Sequence, residues 1–167
     1  MKIAIYPGSF DPVTSGHLNI IRRAAQIFDR LLVCVMVNSG KTPMFSLDER
    51  VALLRRVTQT IPNVEIDASG ELLAEYARKR GNCVIVKGLS AGSDFENEFQ
   101  MALINRKINP DLDTLFLTAE HQYTYLSSST VKELGSYHVD LSDFLPKEII
   151  PDFQERINKI RLGGNSQ

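Results

Sequence analysis

Short apolar segments that alternate with helical ones are the feature that most restricts how this chain folds. Segments 2–6, 31–38 and 83–87 are almost continuously apolar, the pattern of strands that are buried on both faces of a sheet. Shorter strands are predicted at 64–67 and 115–117. Because helical segments lie between these strands, the pattern predicts an α/β fold, a doubly wound parallel sheet with helices on both faces.

The predicted helices begin and end at recognisable signals. Ser46 and Glu49 form a capping box ahead of one amphipathic helix. Another helix, predicted over 71–80, ends at Gly81. The spacing of apolar residues predicts the remaining helices from residue 18 onward, at 94–108, at 129–137 and from residue 147 to near the C-terminus.

The composition narrows the class of protein. A chain of 167 residues with 43% hydrophobic and 23% charged residues predicts one domain over 1–162, followed by a flexible tail at 163–167. The net charge of −1 gives no overall attraction to nucleic acid, and the longest apolar run is too short to span a membrane. No signal peptide is expected before the first strand. Cys34 and Cys83 lie in strand-like segments, which predicts buried reduced thiols and a cytoplasmic protein.

In doubly wound sheets, ligands bind beyond the carboxyl ends of the strands. We therefore expect the chemistry in the loops at 7–17, 38–45, 87–93 and 118–129, all of which are rich in small or polar residues. The first of these loops leads into a helix with His17 at its start. A helix N-terminus offers unpaired N–H groups and the positive end of the helix dipole, so this position predicts a bound phosphate, as in a nucleotide.

Several common nucleotide and hydrolase motifs are absent from the sequence. There is no G-x-x-x-x-G-K-[ST] loop, no G-x-G-x-x-G after the first strand and no G-x-S-x-G elbow. The histidines at 17, 121 and 138 lack the spacing of a zinc site. These absences do not exclude phosphoryl or nucleotidyl transfer by a protein without a P-loop.

The motifs that are present resemble a known family. Pro7-Gly8-Ser9-Phe10-Asp11-Pro12 followed by Thr14-x-Gly16-His17 is similar to the hallmark of the nucleotidyltransferase superfamily. The rest of the pattern, in order over about residues 2–160, resembles the phosphopantetheine adenylyltransferase family. Its further members are Lys41-x-Pro43-Met44-Phe45, Lys87-Gly88-Leu89, Asp94-Phe95-Glu96-x-Glu98 with Asn105-Arg106, and Ser127-Ser128-Ser129-x-Val131-Lys132.

The resemblance implies a Rossmann-like nucleotidyltransferase fold with C-terminal helices, and a specific reaction. ATP and 4′-phosphopantetheine give dephospho-coenzyme A and pyrophosphate, by direct in-line attack of the acceptor phosphate on the α-phosphorus. The resemblance also implies Mg²⁺ as cofactor and a homohexamer. No residue is assigned as a metal ligand, because Mg²⁺ in such sites is bound mainly by substrate phosphates and water.

The resemblance assigns catalytic roles to three residues. His17 would donate to the α-phosphate, Ser9 would bridge both substrates, and Lys41 would bind the acceptor phosphate. Residues assigned to ATP are Ser9, Phe10, His17, Gly88, Leu89, Ser90, Glu98, Tyr123, Thr124, Tyr125, Leu126, Ser127, Ser128 and Ser129, and those assigned to the acceptor are Ser9, Lys41, Leu73, Lys87 and Asn105. Each also has a structural interpretation as a helix cap, a turn residue, a solvated side chain or a core residue.

One segment departs from the family pattern. The usual Arg-Gly-Leu/Ile-Arg reads Lys87-Gly88-Leu89-Ser90 here, so Lys87 keeps a positive charge without the guanidinium, and Ser90 removes a charge altogether. Lys132 or Arg106 could supply the missing charge. Two alternatives to the implied reaction follow: a sister nucleotidyltransferase with another acceptor, or a non-catalytic descendant that binds coenzyme A or nucleotide.

Overall fold

The computed structural model describes residues 1–37, 39–40, 42–91 and 95–164. Five strands form one sheet: β1 (Ile3–Gly8), β2 (Arg30–Met36), β3 (Val64–Ser69), β4 (Cys83–Leu89) and β5 (Thr114–Thr118). The helices are α1 (Ser15–Ile27), α2 (Leu47–Thr58), α3 (Leu73–Arg78), α4 (Phe95–Ile108), α5 (Ser128–Ser136) and α6 (Ile150–Gly164), with single 3₁₀ turns at His121–Tyr123 and Lys147–Ile149.

All neighbouring strands are parallel, in the order β3-β2-β1-β4-β5. The predicted doubly wound parallel sheet is therefore confirmed, and its strand order reverses between β1 and β4. Side chains of β1 alternate between the two faces. Ala4 and Tyr6 join the larger core cluster with residues of α1, α2, α5 and α6, whereas Ile5 joins a smaller cluster with Tyr76 of α3.

β1 and its neighbour β4 diverge toward their carboxyl ends. β1 pairs with β2 along its whole length, but its pairing with β4 ends at Ile5 and Ile85. Pro7, which has no N–H to give to a ladder, lies in the part of β1 beyond that point. A crevice therefore opens between the ends of β1 and β4, at the reversal of strand order.

Several element boundaries differ from those predicted by the sequence. β1 and β4 each continue two residues further, to Gly8 and Leu89, and α3 is shorter than predicted at both ends. α1 begins at Ser15 rather than at residue 18, because Thr14 caps it. The capping box of Ser46 and Glu49 at α2 is confirmed.

The C-terminal helices cover the face of the sheet that carries the larger core cluster. Phe153 and Ile157 of α6 are buried in that cluster with Val131 of α5. α6 continues to Gly164, two residues into the predicted tail, and residues 165–167 lie outside the described ranges.

Two further observations bear on the predictions from composition. Cys34 and Cys83 are both buried and free of disulfides, as predicted. Within the described ranges, every helix is too short or too polar to cross a lipid bilayer.

Gly135 of α5 lies against Phe153 of α6. A Cβ at this position would lie 2.4 Å from Cε1 of Phe153. We expect Gly135→Ala to destabilise the protein by about 1–2 kcal/mol, because the overpacking outweighs the roughly 1 kcal/mol that alanine gains in a helix. Gly163→Ala in α6, where a Cβ meets nothing within 4 Å, is the matched control and should be neutral or slightly stabilising. Urea denaturation of both variants measures the difference, and equal midpoints would contradict the expectation.

Candidate active site

The loop after β1 is held in place by the carboxylate of Asp11. This buried group accepts hydrogen bonds from the backbone N–H groups of Met44 and Phe45, each at 2.8 Å. It also accepts one from the Lys132 ammonium of α5, at 2.8 Å. The Asp11 side chain thus joins the loop after β1, the segment before α2, and α5.

His17 lies in the first turn of α1 and closes a capping box with Thr14. Its backbone N–H donates to Oγ1 of Thr14 at 3.2 Å, and its ring Nδ1 accepts from the Thr14 backbone N–H at 3.0 Å. Because Nδ1 is an acceptor in this bond, the proton of the neutral ring is on Nε2. The cap therefore leaves His17 with its N–H donor on the side of the ring away from Thr14.

The surroundings of His17 favour its neutral form. The ring contacts Phe10 edge-on, with centroids 5.0 Å apart, and lies 6.5 Å from the ring of Tyr6. Burial among these rings, assisted by the positive charge of Lys87, lowers the pKa of His17 to about 4. At neutral pH this residue can donate a hydrogen bond from Nε2 without carrying a charge.

A cavity of about 430 Å³ opens beside His17, in the crevice between β1 and β4. The loops after β1, β4 and β5 and the start of α5 form its wall, as predicted for the carboxyl edge of the sheet. Predicted site residues on this wall are Ser9, Phe10, His17, Lys87, Gly88, Leu89, Ser90, Glu98, Tyr125, Leu126, Ser127 and Ser128.

A second cavity of about 370 Å³ lies on the other side of the end of β1. It is lined by Leu73 and Asn105, both predicted for the acceptor, together with apolar side chains such as Met36 and Met101. The two cavities share five wall residues, Pro7, Gly8, Ser9, Lys87 and Glu98. The structure therefore brings the predicted ATP and acceptor residues to two adjoining spaces that meet at Ser9.

Four predicted site residues are not among those that line the two cavities. Tyr123, Thr124 and Ser129 are next to the first cavity but not on its wall; the Thr124 carbonyl accepts from the backbone N–H of Ala91 at 3.0 Å. Lys41, predicted to bind the acceptor phosphate, lies outside the described residues.

Comparison with known proteins identifies the family. The cytidylyltransferase-like family model matches residues 5–134. A phosphopantetheine adenylyltransferase from Alkaliphilus metalliredigens is 53% identical over 150 residues, covering 90% of this chain and 96% of that protein. One from Caldanaerobacter subterraneus subsp. tengcongensis is 52% identical over 159 residues, covering 95% and 99%. The chain belongs to the phosphopantetheine adenylyltransferase family.

Solved structures agree on the fold at much lower identity. The bifunctional NMN adenylyltransferase/ADP ribose pyrophosphatase from Francisella tularensis, complexed with AMP and a manganese ion, superposes with a TM-score of 0.67 at 15% identity. The match covers 95% of this chain and 48% of that one. The predicted Rossmann-like nucleotidyltransferase fold with C-terminal helices is thereby confirmed.

The positively charged side chain of Lys87 lies on the walls of both cavities. Its ammonium is 3.4 Å from Oε1 of Glu98, and both side chains are 27% exposed. The Tyr6 hydroxyl, on the wall of the first cavity, has a raised pKa, chiefly through burial and also through the charge of Glu98, so it stays protonated. Among the described wall residues of the first cavity, Lys87 is the one Lys or Arg.

Neither residue suggested to replace the family's second arginine lies on the cavity wall. Lys132 pairs with Asp11, as described above. Arg106 pairs with Asp113 at 2.9 Å, and both side chains are more than half exposed. Ser90, in contrast, is on the wall of the first cavity. Compensation by Lys132 or Arg106 stays a prediction, which these two ion pairs disfavour.

Some wall residues were not predicted from the sequence. Tyr6, Ile20, Ala119 and Thr130 line the first cavity and were not among the predicted site residues. Ala119 lies in the predicted loop at 118–129, and Thr130 is the variable position of the motif that begins at Ser127, whereas Tyr6 and Ile20 lie just outside the first motif. Thr130 is the third residue of α5, and its backbone N–H donates to the Ser127 hydroxyl at 3.1 Å.

The described residues contain no cluster of three or more His, Cys, Asp or Glu side chains arranged to hold a metal. The oxygen donors on the first cavity wall are the Glu98 carboxylate and several hydroxyls, including those of Ser9 and Ser127. Such a set suits Mg²⁺ that enters with a nucleotide and is bound mainly through its phosphates.

The lowered pKa of His17 predicts that the free energy of unfolding depends on pH. In the unfolded chain the imidazole takes up a proton near pH 6.5, whereas in the folded protein it does so only near pH 4. Wild-type stability therefore falls as the pH decreases from 6.5 to 4, by up to about 3 kcal/mol from this residue alone. His17→Asn, which keeps an acceptor near the position of Nδ1, should lose this component.

Chemical denaturation of wild type and His17→Asn between pH 4 and 7.5 measures the effect. The stability of the variant relative to wild type should rise as the pH falls below 6.5. Parallel stability curves for the two proteins would show that the ring is not held neutral in the native state.

Proposed function

We propose that the protein transfers the adenylyl group of ATP to 4′-phosphopantetheine, giving dephospho-coenzyme A and pyrophosphate in coenzyme A biosynthesis. The observation that carries the proposal is the pair of adjoining cavities that meet at Ser9, in a chain half identical to proteins of that name. The first cavity would bind ATP and the second the pantetheine arm. The apolar lining from Met36, Leu73 and Met101 suits an uncharged, extended arm.

The proposed reaction requires positioning and charge neutralisation rather than a protein nucleophile. The acceptor phosphate attacks the α-phosphorus in line, and pyrophosphate leaves. The neutral His17 would donate from Nε2 to the α-phosphate, and this bond strengthens as negative charge develops on the pentacoordinate phosphorus. Ser9, at the junction of the cavities, would bridge both substrates.

The start of α5 supports a triphosphate site. The Ser127 hydroxyl accepts from the Thr130 N–H at 3.1 Å as the helix cap, and the Ser128 hydroxyl donates to the Pro12 carbonyl at 2.9 Å. These bonds fix the helix start against the loop after β1. The other backbone N–H groups of the first turn would then receive the β- and γ-phosphates, with Mg²⁺ entering as part of the nucleotide. Lys41 and Lys87 would bind the acceptor phosphate.

The proposal extends to assembly and location. Phe95, Phe99 and Leu103 of α4 and Leu115 of β5 are between 46% and 54% exposed, which supports burial against further copies in a homohexamer. Sedimentation velocity measures this, and a species of 18.7 kDa would contradict it. The proposed enzyme is a cytoplasmic protein with a single catalytic domain over 1–162.

The function is tested with purified protein, ATP, Mg²⁺ and 4′-phosphopantetheine, by measuring pyrophosphate release. Nicotinamide mononucleotide as acceptor and CTP as donor are the controls for a sister transferase. His17→Asn should lower kcat by about 100- to 1,000-fold, because one transition-state donor is lost. His17→Gln, whose amide can reach the position of Nε2, should retain more activity than His17→Asn. Wild-type protein that binds ATP but releases no pyrophosphate with any acceptor would indicate the non-catalytic alternative.

Ser90 provides a second test, because it is on the cavity wall where the family usually has an arginine. Ser90→Arg adds a cation to a wall on which Lys87 is the one described Lys or Arg. We expect ATP to bind about ten-fold more tightly, the effect of roughly 1.4 kcal/mol from a charge-assisted hydrogen bond. Ser90→Gln is the uncharged control. Titration calorimetry with Mg-ATP measures the dissociation constants. An unchanged or weaker affinity in Ser90→Arg would show that the charge absent at this position does not limit ATP binding.

A further inference from the structure

Arg50 of α2 is a buried cation whose partners are backbone carbonyl groups. Arg50 is 6% exposed. Nη1 donates to the Ser9 carbonyl at 3.0 Å, and Nε donates to the Ser46 carbonyl at 3.4 Å. Within the described part of the chain, no carboxylate lies within 4.0 Å of this guanidinium. Burying a charge without a counter-charge costs free energy, so its retention needs an explanation.

The bond to Ser9 sets the orientation of one peptide unit at the junction of the two cavities. The Ser9–Phe10 peptide is trans, so its N–H points opposite to its C=O. With the carbonyl drawn toward Arg50, the Phe10 N–H points away from α2. In the described residues this N–H donates to no acceptor, and both Ser9 and Phe10 line the first cavity.

Phe10 adds a second constraint on the same peptide. Its φ of 46° lies in the left-handed region, which non-glycine residues adopt at a cost. The ring is buried edge-on against Tyr6 and His17, which holds the residue in place from the other side. The left-handed turn at Phe10 and the Arg50 hydrogen bond together hold the unpaired N–H in one direction.

We propose that Arg50 is a positioning residue for adenylyl transfer, orienting the Phe10 N–H toward the phosphates at the Ser9 junction; this rests on the proposed function above. The substrates supply the anionic charge that the buried guanidinium lacks. Arg50 does not touch the reacting atoms. It acts through the Ser9–Phe10 peptide, and its charge adds a positive potential behind that peptide.

The test compares Arg50→Lys and Arg50→Met with wild type in steady-state adenylyl transfer. Lys keeps the charge but cannot donate to Ser9 and Ser46 together, and Met removes both charge and donors. We expect kcat to fall about 10-fold in Arg50→Lys and about 100-fold in Arg50→Met, on the scale of a misplaced transition-state donor. Thr58→Val is the matched control, because it removes a buried hydrogen bond of 2.8 Å to Leu54 from the same helix without contacting Ser9.

The outcomes separate positioning from stability. Arg50 variants that keep kcat within two-fold of wild type, or lose no more than Thr58→Val, overturn the proposal. If Arg50→Met does not fold, Arg50→Lys decides alone, and loss of fold in both assigns Arg50 to stability and also overturns it. Calorimetric binding of Mg-ATP is measured in parallel. If wild type is inactive, the proposed function fails, and an ATP affinity unchanged in the Arg50 variants then overturns the positioning role independently.

Discussion

The Asp11 carboxylate accepts hydrogen bonds from two backbone N–H groups and one ammonium, and the candidate site is assembled around it. Met44 and Phe45 belong to the segment after β2, and Lys132 belongs to α5, which lies 121 residues further along the chain. A carboxylate has two acceptor oxygens, whereas asparagine, the neutral side chain of the same size, has only one. The loop after β1, the segment before α2 and helix α5 are thus held in one arrangement by a single charged group.

In the proposed reaction, His17 would use for chemistry the same hydrogen bonds that it uses in folding. The capping box satisfies N–H groups at the start of α1 that would otherwise lack partners. The same bonds fix the ring's tautomer, and the rings of Tyr6 and Phe10 keep it uncharged. A donor that is neutral and already oriented needs no reorganisation when charge develops on a phosphate, which is the basis of electrostatic preorganisation.

Much of this arrangement could be predicted from the sequence, and there is a physical reason why the remainder could not. Strand type, sheet class and the loops that carry the site follow from local apolar patterns and from the carboxyl-edge rule, and the cap of α2 follows from Ser46 and Glu49. The partners of Asp11 and the bond from Arg50 to Ser9 could not be predicted, because they depend on the relative placement of elements far apart in the chain. Arg106 pairs with Asp113, seven residues away, and is not among the described wall residues of the first cavity.

The strand order also bears on how the protein forms during synthesis. β1 is synthesised before the other four strands of this sheet and is its central strand. β2 and β3 can pair on one side of it at once, whereas its other edge waits until β4 has been translated. A nascent chain therefore carries an open, apolar edge at Ile3–Ile5 over that interval, the kind of surface that recruits chaperones or neighbouring chains. When β4 arrives it closes only this lower part of the edge, and the upper part stays open as the crevice beside His17.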